Sequence, residues 1–174
     1  MQNTRRKETF RLVLAAMFAA FGVLLPSVFH MFNMGGPIFL PMHIPVLLCG
    51  LVCGWKYGLL VGLIVPFLSS FTGMPVLYPT GVVMMLELAA YGCVIGLVSQ
   101  KQNTLLSLVT AMLCGRLVSG LANVVLLGVG NYGIQAFVTA SFVTALPGIV
   151  IQLVLIPAVM LLLKRTHVME RLEG

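Results

Sequence analysis

Glu87 and Arg116 are the residues from which chemistry can be argued, because each stands inside a long apolar run. A charge at the centre of a membrane-spanning helix costs about 2.5–3.5 kcal/mol on insertion scales. Such a residue pairs with another, reaches back to the interface, or faces a polar pocket. Two readings therefore stand side by side. In one, Glu87 and Arg116 brace two helices or Arg116 snorkels inward; in the other, one or both face a pocket and contact a solute. Helical spacing gathers further polar groups around them. Tyr91 is four residues beyond Glu87, on the same helix face; Asn123 is seven beyond Arg116, with Ser119 between them on nearly that face. Asn131, Tyr132 and Gln135 follow in the next connection, and His43 and Tyr78 arrive from two others. The candidate substrate-binding set is thus Glu87, Tyr91, Arg116, Asn123, Asn131, His43 and Tyr78. It offers hydrogen-bond donors, acceptors and aromatic faces suited to a small polar or aromatic solute.

The rest of the inventory argues against an enzyme. The chain has no Asp, and Glu occurs only at positions 8, 87, 170 and 173. Paired-carboxylate catalysis and carboxylate-rich metal sites have nothing to draw on, and His30, His43 and His167 are scattered. Cys49, Cys53, Cys93 and Cys114 lie in apolar runs without a C-x-x-C pair, as small packing residues do. No Walker G-x-x-x-x-G-K-[ST], H-E-x-x-H or G-x-S-x-G is present. No catalytic residue, metal ligand or cofactor is expected. The basic residues sit at the two ends and in short connections, which is a topology pattern and not a nucleic-acid-binding face.

The elements that position the polar set are read from composition. Of 174 residues, 60% are hydrophobic and 8% charged, against about 25% charged in a soluble domain. Lipid removes the need for a polar exterior. Hydropathy and Gly/Pro punctuation predict six helices at about 12–29, 44–53, 57–69, 80–98, 105–127 and 142–163, one membrane domain over residues 1–174. The run 44–66 would also serve as one crossing, but that would bury Lys56 mid-bilayer, so a tight turn at Gly54-Trp55-Lys56 is preferred. Arg5-Arg6-Lys7 before an apolar run resembles a signal peptide. The run from Leu12 to Phe32 is long for one, and more membrane follows, so it is read as a retained first helix. Arg5, Arg6, Lys7 and Arg11 mark the N-terminal side as cytoplasmic, and Lys56, Lys101, Lys164, Arg165 and Arg171 fall on that side too. The opposite connections, 30–43, 70–79 and 128–141, carry no Lys or Arg and are rich in Gly, Pro, Asn and aromatics. The expected fold is an all-α polytopic six-helix bundle with both termini cytoplasmic and lid-like outer loops. Within 12–29, Ala15/Ala19 and Ala16/Ala20 form overlapping small-x-x-x-small pairs that let another helix approach closely.

This layout resembles the substrate-binding S components of energy-coupling factor (ECF) vitamin transporters over essentially the whole chain. The resemblance rests on the six-helix plan at this size and on the alanine pairs, which match an A-x-x-x-A docking surface. It also rests on Pro41-Met42-His43-Ile44-Pro45-Val46-Leu47-Leu48-Cys49-Gly50 leading to Gly54-Trp55-Lys56-Tyr57-Gly58, and on Pro66 to Pro79, which is similar to a ligand-capping loop. Trp55-Lys56 departs from the Gly-Pro style of turn usual in the family. The resemblance implies a bacterial inner-membrane protein that captures a vitamin or precursor at the outer face. It implies partners too: a membrane coupling (T) subunit, two ATP-binding-cassette ATPases and the surrounding bilayer, with Ala15, Ala16, Ala19 and Ala20 docking on the coupling subunit. It also implies toppling in the membrane to release the ligand. His43-Ile44-Pro45-Val46 looks similar to members assigned to pantothenate, whose carboxylate would suit Arg116; a pyridoxine or pyrimidine-type ligand stays open. The competing reading is an autonomous permease or channel, which would need a polar path through both leaflets.

Overall fold

The computed structural model describes residues 2–31, 36–72, 75–128 and 133–166, and these are almost entirely helical. The long apolar helices are α1 (Gln2–Met31), α3 (His43–Cys53), α4 (Trp55–Ser70), α5 (Val82–Val98), α6 (Thr104–Leu127) and α8 (Leu146–Arg165). Two short ones, α2 (Gly36–Phe39) and α7 (Ile134–Val138), lie in the connections expected to be loops. The expected helix at 12 instead begins at Gln2, because nothing between Arg5 and Arg11 breaks it. Those expected at 80 and 142 become regular later, at Val82 and Leu146. Leu77–Gly81 and Thr139–Thr144 wind instead as wide π turns, the first with Tyr78 extended at φ −126, ψ 134. Among the described residues four segments are long and apolar enough to cross a membrane: Arg5–Phe29, Leu77–Val98, Thr104–Leu127 and Leu146–Arg165. α3 and α4 are shorter, with 11 and 16 residues.

Gly54 separates α3 from α4. Its φ of 95 lies where a side chain would strain the backbone, so the run 44–66 is two helices folded back on each other. Their packing needs glycine. A methyl group placed on Gly58 would lie 2.8 Å from the Gly50 Cα, and one on Gly92 would overlap the Gly58 carbonyl. On α5, Gly96 faces the Trp55 backbone, with 2.5 Å between an added methyl and the Trp55 Cα. Higher up, Gly62 of α4 is pressed against the Leu88 carbonyl. Lipid tails are as apolar as leucine, so helices in a bilayer gain by close van der Waals fit. Backbone-to-backbone approach at these glycines provides it for α3, α4 and α5.

α5 is the central helix, flanked by α3, α4 and α6; α1 packs on α3 and α4, and α8 on α2, α3 and α6. The core they share includes Val46, Leu47, Cys49, Val65, Leu88, Ile95, Leu108 and Ile156, all fully buried. Large apolar side chains such as Leu12, Met17, Phe21, Leu117, Leu121 and Val154 face outward, as a lipid-bathed surface allows. Hydroxyls inside the helices are satisfied locally: Ser107 donates to Asn103 O at 3.0 Å and Thr110 to Leu106 O at 2.8 Å. The two ends of the bundle differ. Gly54, Lys56, Gly96 and Lys101 lie at one end, where glycines hold the helices together. At the other, α3 stops short: 11 residues rise only about 16 Å, against about 30 Å of hydrocarbon. That leaves space above its N-terminus.

Substituting Gly92 by Val forces α4 and α5 apart and is expected to destabilise the fold by about 1–3 kcal/mol. Gly133→Ala, at a position with nothing within 4 Å of the added carbon, is expected to be neutral. Denaturant titration of both proteins in one detergent checks the contrast; equal midpoints would remove the glycine contacts from the account.

Candidate functional site

The space above α3 is a cavity of about 420 Å³. Its polar wall is built by two stripes. On α5 and the turn before it, Thr80, Val83, Met84 and Glu87 follow one another at helical spacing; on α6, Arg116, Ser119 and Asn123 do the same. His43 closes the floor from the first turn of α3. The remaining wall is apolar, with Pro26 of α1, Leu40, Pro41 and Met42 before α3, Pro75 and Val76 from the connection ahead of α5, and Ala140 beside Ser141. Three of the connections expected to form lids therefore reach the cavity. Leu40 takes a left-handed backbone at φ 51, which is strained for a residue with a side chain. The turn it makes, with His43 N donating to Leu40 O at 3.1 Å, sets His43 at the cavity floor.

The two buried charges meet there. Arg116 donates through Nη1 to Glu87 Oε1 at 2.9 Å, with 8% and 4% of the residues' surfaces exposed. This bond ties α5 to α6 where neither ion has water around it. Pairing is what makes both charges tolerable at that depth. His43 adds a third helix: its Nε2 stands 3.6 Å from the same carboxylate oxygen, too far for a hydrogen bond. Its ring meets Tyr91 edge-on, with centroids 5.0 Å apart at 82°. Both His43 ring nitrogens, and Nε and Nη2 of Arg116, are buried without a hydrogen-bond partner. Ser119 lies against Glu87, and Asn123 is held by donating to Ser119 O at 2.9 Å.

Four of the residues singled out in the sequence, His43, Glu87, Arg116 and Asn123, come together on the cavity wall. Tyr91 does not line it. The helical turn that puts Tyr91 below Glu87 also buries it beneath the floor, where its ring fills the space left by Gly115. Tyr78 is 63% exposed and points away, because its extended backbone breaks the turn between the lining residues Val76 and Thr80. Asn131 and Tyr132 lie outside the described residues, and Gln135 is exposed. Thr80, Val83 and Met84 were reachable by counting back from Glu87 in steps of three and four. Pro26, Leu40 and Ser141 carry no such signal and are brought in by chain folding.

Of the alanines, Ala15 is in the core and Ala19 packs against it, whereas Ala16 and Ala20 face outward beside Val13, Met17 and Leu24. Cys49 and Cys53 are buried and free, and Cys93 and Cys114 are half-buried and free. Among the described residues no group of three His, Cys, Asp or Glu side chains is placed to hold a metal ion.

The cavity, with its buried and partly unsatisfied polar floor inside an apolar helical bundle, has room for a small solute. Comparison with known proteins points the same way. No curated protein and no solved structure matches the chain. The profile of one family, described as the ECF transporter substrate-specific component, matches residues 10–160. A match across most of the chain settles its kinship: the protein belongs to the substrate-specific components of ECF transporters, helical membrane subunits that bind a substrate for transport.

Proposed function

We propose that the chain captures a vitamin or vitamin precursor in this cavity at the outer face of the bacterial cell membrane. It then delivers the ligand to a coupling module of a membrane T subunit and two ATP-binding-cassette ATPases. The observation that carries this reading is the position of the cavity. It is framed by the C-terminal end of α1, the N-terminal ends of α3 and α5 and the later part of α6, whereas Lys56 and Lys101 lie at the far end. With basic residues facing the cytoplasm, the cavity opens outward. In this arrangement α1, α3, α4, α5, α6 and α8 make six crossings and both termini are cytoplasmic. The cavity volume of about 420 Å³ suits one small molecule. Pantothenate is the first ligand to test, with pyridoxine and pyrimidine-type compounds beside it.

The alternative of an autonomous permease or channel lacks a path. Below the cavity the interior is closed by fully buried Cys49, Ile95 and Leu108 and by the glycine contacts. In liposomes containing the chain alone, bound ligand is expected but no accumulation; adding the T subunit, both ATPases and ATP is expected to drive uptake. Flux through the chain by itself would sink the proposal.

Docking on the T subunit is assigned to the outward pair Ala16 and Ala20 of α1. Replacing both by Trp is expected to lower uptake by the reconstituted complex about ten-fold or more, a loss of about 1.4 kcal/mol or more in docking. Ligand affinity of the isolated chain should not change. Ala15→Trp is expected to lower folding stability instead, since Ala15 is only 5% exposed. If the Ala16/Ala20 variant transports normally, the docking surface lies elsewhere.

A further inference from the structure

We propose that the cavity takes a ligand without ionic charge and reads one hydrogen-bond donor on it, a hydroxyl or N–H, through Oδ1 of Asn123. This inference rests on the cavity being the binding site and specifies what the cavity reads.

Charge is spread unevenly along the chain. Of the 10 Lys and Arg and the 4 Glu, all but Glu87 and Arg116 fall at positions 5–11, 56, 101 and 164–173. Among the described residues none of those lines the cavity. The connections at the cavity's end of the bundle, 30–43, 70–79 and 128–141, contain no Lys, Arg, Asp or Glu. That leaves Glu87 and Arg116, which neutralise each other at 2.9 Å. The Arg116 nitrogens that Glu87 does not take, Nε and Nη2, are closed off from the surface, as are both nitrogens of His43. An ion entering this cavity would lose its water and gain no counter-charge, which is costly in an apolar site. An uncharged molecule loses far less on entry.

The remaining polar side chains of the wall, Thr80, Ser119, Asn123 and Ser141, are all neutral. Asn123 has its orientation set by its own helix. Only the amide nitrogen can donate to a carbonyl, and Nδ2 does so to Ser119 O at 2.9 Å. Oδ1 is therefore turned away from that carbonyl. It accepts no bond from the described residues and, unlike the Arg116 and His43 nitrogens, it is not shut off from the surface. Asn123 is half-buried and lines the cavity, so a fixed acceptor stands beside the ligand. A hydroxyl or N–H satisfies it, whereas an ether or a fully substituted amide leaves it unpaired. The body of the ligand rests against Met42, Val76, Val83 and Met84, which are apolar and, at the methionines, adaptable. Pantothenate, an anion, is then a weaker ligand than its alcohol.

The test uses the full chain in detergent. Three probes share one ring: nicotinamide is neutral, nicotinate is an anion and N1-methylnicotinamide is a cation. Pantothenate and its alcohol panthenol form a second set. Calorimetry measures binding, and native mass spectrometry identifies any molecule retained through purification. The neutral member of a set is expected to bind about ten-fold or more tighter than its charged partners. Asn123→Leu removes the acceptor and leaves the Glu87–Arg116 pair intact. It is expected to weaken nicotinamide or panthenol about ten-fold, and to leave N,N-dimethylnicotinamide, which has no N–H, unmoved. Asn123→Asp places an unneutralised carboxylate on the wall. It is expected to close the gap between the cationic and neutral probes, and it serves if Asn123→Leu does not fold. A retained ion, a charged probe bound as tightly as its neutral partner, or a neutral probe indifferent to Asn123→Leu overturns the inference while leaving solute capture standing. If nothing is retained and no probe binds, solute capture in this cavity fails and the inference falls with it.

Discussion

The structure depends on how closely α3, α4 and α5 approach at their glycines. At the Lys56 end, Gly50, Gly58, Gly92 and Gly96 bring backbone against backbone, with no side chain between. Towards the other end, α5 and its neighbours carry Tyr91, Glu87, Arg116 and His43 on their facing surfaces. Above that end α4 stays against α5 at Gly62 and Leu88, while large polar side chains stand between α5 and both α3 and α6, so the bundle is narrowest at the Lys56 end. Close van der Waals fit, the main source of helix association in lipid, is concentrated in the narrow end. The cavity lies in the wide end, where α3 runs out after 11 residues. Its volume follows from the packing and needs no special device.

The pair at its floor braces α5 to α6. A lone carboxylate or guanidinium in this setting would be prohibitive, and pairing Glu87 with Arg116 makes both tolerable. Pairing does not exhaust them, because the arginine gives one nitrogen of three and the histidine gives none. Nearby polar groups close theirs: Asn123 donates to Ser119 O, and Ser107 and Thr110 donate to their own helix backbones. The pair that holds α5 to α6 thus keeps unpaired donors buried beside the cavity.

What could be read from the sequence follows from what is periodic. The six apolar segments, the turn at Gly54-Trp55-Lys56 and the Glu87 and Arg116 stripes are local patterns, and local patterns carry their own geometry. Arg116, Ser119 and Asn123 share a face because 3 and 7 residues approximate whole turns of a helix. Tyr91 shows the limit of that reasoning. It shares a face with Glu87, yet one turn deeper that face looks onto Gly115 of a neighbouring helix and not onto the cavity. Tyr78 is placed differently for another reason: it is the extended residue inside the π turn Leu77–Gly81, so the helical count that still reaches Thr80 stops before it. Pro26, Leu40 and Ser141 reach the site through tertiary folding, to which no spacing in the sequence corresponds. The alanine pairs were visible as a motif, but which pair faces out depends on where α3 and α4 sit against α1.

The same packing constrains how a ligand could move on. A passage from the cavity through the bundle would have to separate α3, α4 and α5 where their backbones touch, and would expose peptide groups to hydrocarbon at a cost of several kcal/mol each. Nothing at that narrow end resembles a hinge: Gly54 is a tight turn, and Gly58, Gly92 and Gly96 are held by contact, not free to rotate. The opposite end differs. Its walls include the strained turn at Leu40 and the π turns at Leu77–Gly81 and Thr139–Thr144, where regular helical hydrogen bonding is already interrupted and rearrangement costs least.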